Sequence, residues 1–224
     1  PARPDEPDKP DPARALLTSG AQRLSRCEWE EAEESFTKAL TLDPDSVEGL
    51  SGLARARDGR QAWKDALQPC QAALDLAPDD PALLELRARI RYQRGQLQAA
   101  WDDVTRAVKR DPRRVTALVL RALIARFVTG ANPQADLQRA VEQPVPADDA
   151  GQVARAIALL GVGRGEDALA LLDALIKRAP RSAQALYTRG VMHLEAKRLA
   201  QGQRDLLAAV KADPCDYLAW TTLI

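Results

Sequence analysis

The sequence predicts an all-α protein, a solenoid of stacked antiparallel helix pairs with one pair in each repeat of about 34 residues. Three observations carry that prediction. Pro44, Pro78, Pro112, Pro146, Pro180 and Pro214 stand at one constant interval, although the chain of 224 residues holds only 15 prolines. Twenty-four residues before each stands a small residue: Gly20, Ala54, Ala88, Ala122, Ala156 and Gly190. Between these columns the apolar residues keep helical spacing, as in Leu16, Gly20 and Leu24 and then in Ala32, Phe36, Ala39 and Leu40. A repeat of this kind buries its apolar face only by stacking on its neighbours.

In chain order, residues 1–12 hold five prolines and no large apolar side chain, so they read as a stiff, solvated tail or linker. Six repeats follow, at 13–46, 47–80, 81–114, 115–148, 149–182 and 183–216. In each, a first helix carries a Leu column (Leu16, Leu50, Leu84, Leu118, Gln152, Leu186) four residues before the small one. The second helix carries Ala32, Ala66, Ala100, Gln134, Ala168 and Gly202, so both helices offer a small face for close approach. The turn between them is rich in Gly or charge, as in Asp58-Gly59-Arg60 and Arg94-Gly95. The proline closes the second helix, because the residue before it avoids helical dihedrals. Asp45, Ser46, Asp79, Asp80 and Ser182 are the expected capping residues of the next helix. In the fourth repeat Pro133, Gln134 and Gln138 break the pattern, which predicts a second helix rotated by about one residue and ended early by Pro144. Residues 217–224 begin a seventh first helix, with Trp220 in the Leu column and Ile224 where a small residue belongs. These residues read either as a short capping helix or as a truncated seventh repeat, and so apolar an ending favours a domain cut from a longer protein.

These columns, with Trp29, Trp63, Leu97 and Leu199 ahead of the second helices, resemble the tetratricopeptide repeat (TPR) family over residues 13 to 216, as six repeats and a partial seventh. The resemblance implies a right-handed superhelix whose first helices line a concave wall. It also implies a protein partner, an extended peptide or an amphipathic helix laid along that wall.

Composition narrows the rest. Thirty-two basic residues balance 32 acidic ones, which gives no general attraction to nucleic acid or an anionic membrane. No apolar run is long enough to span a membrane, and no cleavable leader stands at the start. Cys27, Cys70 and Cys215 show no paired spacing, and Cys70 reads as a buried thiol, so a reducing, cytoplasmic setting is expected. A periplasmic location, or an anchor ahead of the Pro-rich tail, remains compatible with the sequence. His193 is the only histidine and stands in an inward column, so neither a metal site nor a catalytic residue is expected. Gly161-Val162-Gly163-Arg164-Gly165 follows a helix and lacks the Lys-Ser/Thr of a phosphate loop, so it reads as a turn. Arg87, Arg89, Arg91 and Arg94 are offset by nearby acids and make a poor nucleic-acid patch. Arg121, Arg155 and Arg189 recur just before the small residue, and their heads are expected in solvent. No catalytic residue, cofactor or metal is therefore expected.

The wall columns can be read by helical spacing. They hold Leu17, Ala21 and Leu24, then Ser51, Arg55 and Asp58, then Glu85, Arg89 and Tyr92. The later repeats supply Val119, Leu123, Arg126 and Phe127, then Val153, Ile157 and Leu160, then Tyr187, Val191 and Leu194. The expected partner-binding groove is thus Arg55, Glu85, Arg89, Tyr92, Val119, Leu123, Phe127, Val153, Ile157, Leu160, Tyr187, Val191 and Leu194, with charge in the middle and an apolar strip behind it. The bland alternative is that Val119, Ile157 and Leu160 pack only on one another. Family members that bind heat-shock C-terminal carboxylates use Lys and Asn where this chain has Leu17, Ala21, Gly52, Glu85 and Arg89, so that clamp is expected to be absent. The expected function is a non-enzymatic interaction scaffold. Two other readings stand beside it: a docking or regulatory domain of a larger kinase- or transferase-type enzyme, and an exported secretion or pilus-assembly helper.

Overall fold

The computed structural model describes residues 11–128, 130–215 and 222, and these form twelve α-helices with no strand. Residues 1–10 of the expected 1–12 tail and the seventh helix with Trp220 and Ile224 lie outside the described residues, whereas Asp11 and Pro12 belong to the first helix, as its cap and first residue. The chain divides into two compact units at Pro78 and Asp79. The first holds α1 (Pro12–Leu24), α2 (Trp29–Leu42), α3 (Val47–Gly59) and α4 (Trp63–Leu76). The second holds α5 (Pro81–Gln93), α6 (Leu97–Arg110), α7 (Val115–Ala125), α8 (Pro133–Glu142), α9 (Asp149–Gly161), α10 (Gly165–Arg178), α11 (Ala183–Glu195) and α12 (Leu199–Ala212). Within each unit the helices pair in sequence order, and each pair packs on the next.

The local chemistry explains the boundaries. The side chains of Asp11, Ser46, Asp80 and Asp148 accept backbone N–H groups at the starts of α1, α3, α5 and α9, satisfying donors that the first turn leaves without partners. Three expected caps differ, the first being Asp45, which stands one residue before the cap Ser46. Ser182 occupies the cap position of α11 without a side-chain bond, and Asp79 is held by Arg110 at 2.6 Å instead. In five of the six helix pairs, all but α7–α8, the chain makes the same turn. The N–H groups of Glu28, Ala62, Gln96, Arg164 and Arg198 reach back to the carbonyls of Arg23, Arg57, Arg91, Leu159 and His193. This closure places one residue in the left-handed region, at φ 58° for Cys27, 61° for Gln61, 72° for Gly95, 80° for Gly163 and 59° for Lys197. Glycine is favoured there, yet three of these five positions carry side chains.

The core lies where the paired helices cross. Ala54, Ala66, Ala88, Ala100, Ala156 and Ala168 are fully buried at the two small columns. A methyl on Gly202 would stand 3.0 Å from the Gly190 carbonyl oxygen, so α11 and α12 meet backbone to backbone. Beside the crossing sit Phe36, Cys70, Val104, Leu172 and Leu206, all nearly inaccessible to water. Pro69 stands inside α4 and cannot bond the Asp65 carbonyl, which accepts from Arg57 Nη1 at 3.1 Å instead. Arg23 and Arg91 make the equivalent bond to the Glu31 and Ala99 carbonyls, so this repeating arginine lets one helix keep its proline. In the fourth pair α8 is short, is capped by Asn132 and ends two residues before Pro144.

Candidate protein-binding site

The first helices α5, α7, α9 and α11 form a row in the second unit, α7 against α5 and α9, and α9 against α11. Along it the expected groove residues separate into three groups. Val119 and Val153 are buried between helices, and Glu85 is also buried, its carboxylate accepting from Arg114 Nε and, at 2.8 Å, from Thr116 Oγ1. Those three therefore stand behind the wall rather than on it, because adjacent first helices close over them. Tyr92, Leu123, Ile157, Tyr187, Val191 and Leu194 are half-buried. Phe127 and Leu160 are 59% and 36% exposed. The rings of Tyr92 and Phe127 lie 6.3 Å apart at a 47° tilt, so the row carries an aromatic pair with one open face. Arg89 is half-buried and Arg126 exposed at the same end, whereas Arg55 belongs to the first unit and is exposed there.

The repeating arginines are not solvated, contrary to expectation. Arg87 lays its Nε and Nη2 on the two oxygens of Asp103 at 2.8 and 2.6 Å, and Arg91 adds a third bond of 2.6 Å. Arg121 makes the same fork on Asp136 at 2.7 and 2.5 Å, and Arg189 on Asp205 at 2.8 and 2.7 Å. Hydrogen bonding to Asp205, against the opposing effect of burial, raises the Arg189 pKa above its ordinary value. A bare guanidinium in these helix crossings would be costly, so the carboxylate opposite is what lets the column turn inward. The fifth repeat lacks the acid, with Leu171 in its place, and Arg155 turns to the Ala140 and Gln143 carbonyls at the end of α8. Burial without a carboxylate, with Arg164 nearby, lowers the Arg155 pKa. Nearby acids were expected to offset Arg87 and Arg91, but the repeating pairing was not expected, although Asp103 and Asp205 follow Arg87 and Arg189 at the same separation, 16 positions along the chain. Asp136 follows Arg121 by 15, which is the one-residue rotation expected of the fourth repeat.

Other singled-out residues have ordinary places. Gly161–Gly165 ends α9 and makes the repeated turn into α10. His193 Nε2 lies 3.9 Å from Asp205, and its Nδ1 is buried without a hydrogen-bond partner. Cys70 is buried and Cys215 exposed. Among the described residues no group of His, Cys, Asp or Glu is placed to hold a metal, and no helix is long and apolar enough to cross a membrane.

Comparison with known proteins places this geometry. No curated protein matches the sequence. Among solved structures, the crystal structure of the APC/C hetero-tetramer Cut9–Hcn1 is similar with TM-score 0.63 and 16% identity, over 94% of this chain and 42% of that one. The chain thus spans less than half of that relative. The thermophilic TPR protein TTC0263 of Thermus thermophilus has TM-score 0.63 and 20% identity, over 81% of this chain and 99% of its own. The first TPR of Spaghetti (RPAP3), bound to an HSP90 peptide, has TM-score 0.50 and 21% identity, over 52% and 92% respectively. At these identities the likeness is one of fold. The family itself is shown by sequence models described as tetratricopeptide repeat, one matching residues 53–125 and another matching 23–81 and 153–217, more than half of the chain. With paired helices, small crossing columns and these matches in agreement, the chain belongs to the tetratricopeptide repeat family.

Proposed function

We propose that this chain is a non-enzymatic scaffold that holds a protein partner, as an extended peptide or an amphipathic helix, along the first-helix row of its second unit. The observation that carries the reading is the open apolar surface at Phe127 and Leu160, continued by half-buried Tyr92, Ile157, Tyr187 and Leu194. Apolar and aromatic side chains left accessible in a row are the usual anchors of a bound segment, whereas charges at the rim contribute little. Arg89 and Arg126 at one end steer an approaching segment more than they hold it. Heat-shock C-termini are not part of this reading, because the positions that would clamp two carboxylates carry Leu17, Ala21 and Gly52 in the first unit and, in the second, Arg89 and a Glu85 already engaged by Arg114.

The test is selection of binding peptides from a displayed random library, followed by anisotropy with the best sequence. Ile157→Asp and Tyr187→Asp weaken binding at least about tenfold, the loss expected of a hot-spot anchor, while helicity stays unchanged. Lys177→Asp, on an exposed position of α10, has no effect. Binding that survives both wall variants moves the partner to another surface and refutes the proposal.

A further inference from the structure

A cavity of about 580 Å³ lies between α10 and α12 in the second unit, apart from the first-helix row. Its two walls carry opposite charge. On α10, Glu166, Leu169 and Asp173 share one helical face, with an acid at each end and an apolar residue between. Across the gap stand Arg198, at the N-cap of α12, and Arg204 within α12. α11 packs on both helices and holds the walls apart. Arg189 closes the inner end, with two nitrogens on Asp205 and the third on Asp173 at 2.7 Å, so these groups satisfy one another. The other three charges do not. Glu166 makes no ion pair among the described residues, nor does Arg198, and Arg204 spends only its Nε, on the Ala200 carbonyl.

We propose that this cleft binds a free acidic amino acid, its α-ammonium on Glu166 and its two carboxylates on Arg198 and Arg204. The unspent charges match such a ligand in number and sign, and Leu169 covers its methylene chain. Asp173, held by Arg189 at 2.7 Å and two helical turns from Glu166, stays with that arginine. Glu166, Arg198 and Arg204 are exposed, so each pair is hydrated and contributes modestly, and the bidentate fork of guanidinium on carboxylate supplies the selectivity.

His193 lines this cavity and is the only histidine in the chain, so its imidazole signals in nuclear magnetic resonance report on the site alone. L-Glutamate titrated into the full chain at neutral pH and constant ionic strength should shift them saturably, with an affinity on the order of 1 mM. Glutarate, which lacks the ammonium, and glutamine, which lacks the second carboxylate, should bind more weakly. The double variant Arg198→Gln/Arg204→Gln should weaken glutamate by at least about tenfold, the equivalent of one lost charge-assisted bond. Glu166→Gln should erase the preference of glutamate over glutarate. A shift that never saturates, one equalled by chloride, or one that survives the double arginine variant overturns the proposal. The peptide reading of the first-helix row is untouched by any of these outcomes.

Discussion

Asp103 is only 2% exposed and accepts three arginine hydrogen bonds, two from Arg87 and one from Arg91. Replacing it by leucine keeps most of the volume and removes the charge. Arg87, with 10% of its side chain exposed, then has a guanidinium shut in the α5–α6 crossing. Arg91 is less affected, because a quarter of its side chain meets solvent and it also reaches the Ala99 carbonyl. Breaking a buried pair from one side costs up to about 3–5 kcal/mol, because the remaining guanidinium loses its carboxylate counter-charge. Removing both partners costs far less, since apolar groups of similar size can replace a buried pair almost neutrally. The chain contains its own precedent, for the second repeat has Leu53 and Pro69 in these columns. Urea unfolding followed by circular dichroism should show Asp103→Leu strongly destabilised, and Arg87→Leu/Asp103→Leu recovering about 2–3 kcal/mol of the loss as coupling energy. Amide exchange should localise the single variant's loss to α5 and α6, as expected of an array whose stability is a sum of local terms. A single variant within about 1 kcal/mol of the parent, or a double variant no better than the single, would refute the argument that the pair is what keeps Arg87 inward.

Two further perturbations test the turns and the acid limb of stability. Gly163→Ala should cost about 1 kcal/mol through backbone strain alone. Nothing lies within 4 Å of the added methyl at its φ of 80°, so sterics add nothing. Lys197→Gly, at φ 59°, should stabilise the fold, and urea midpoints that move the other way would refute the turn assignment. Glu33 is held below its ordinary pKa of 4.5: burial pushes it up, but bonds from Arg57 and Arg60 at 2.8 and 2.5 Å outweigh that. Its folded value lies below its unfolded one, so its contribution is present above about pH 4.5 and lost as pH falls through the folded value. Glu33→Gln should therefore destabilise at neutral pH, by a margin that narrows in acid; a margin independent of pH would mean that the carboxylate charge is irrelevant.

The constant proline interval, the small columns and the helical apolar spacing together were enough to read paired helices and their crossings, and single residues in those columns added the buried Cys70 and the early end of α8 before Pro144, because each depends on spacing within one short segment. The left-handed turn position was legible only in part. Gly95 and Gly163 announce it, whereas Cys27, Gln61 and Lys197 adopt it because the flanking helices over-determine the turn. Other features depended on the tertiary structure. Whether a repeating arginine faces water or a carboxylate depends on the rotation of the opposing helix, so Asp136, one position nearer in sequence, does for Arg121 what Asp103 does for Arg87. Which wall residues stay open depends on how closely neighbouring first helices approach, which buries Val119 and Val153 and leaves Phe127 and Leu160 accessible. The cleft of Glu166, Arg198 and Arg204 combines the second helices of two successive repeats with a spacing set by the helix between them, and no linear pattern encodes that distance. Periodicity is local information and survives in a string of residues; facing, burial and charge pairing are properties of two surfaces brought together, and exist only once the helices pack.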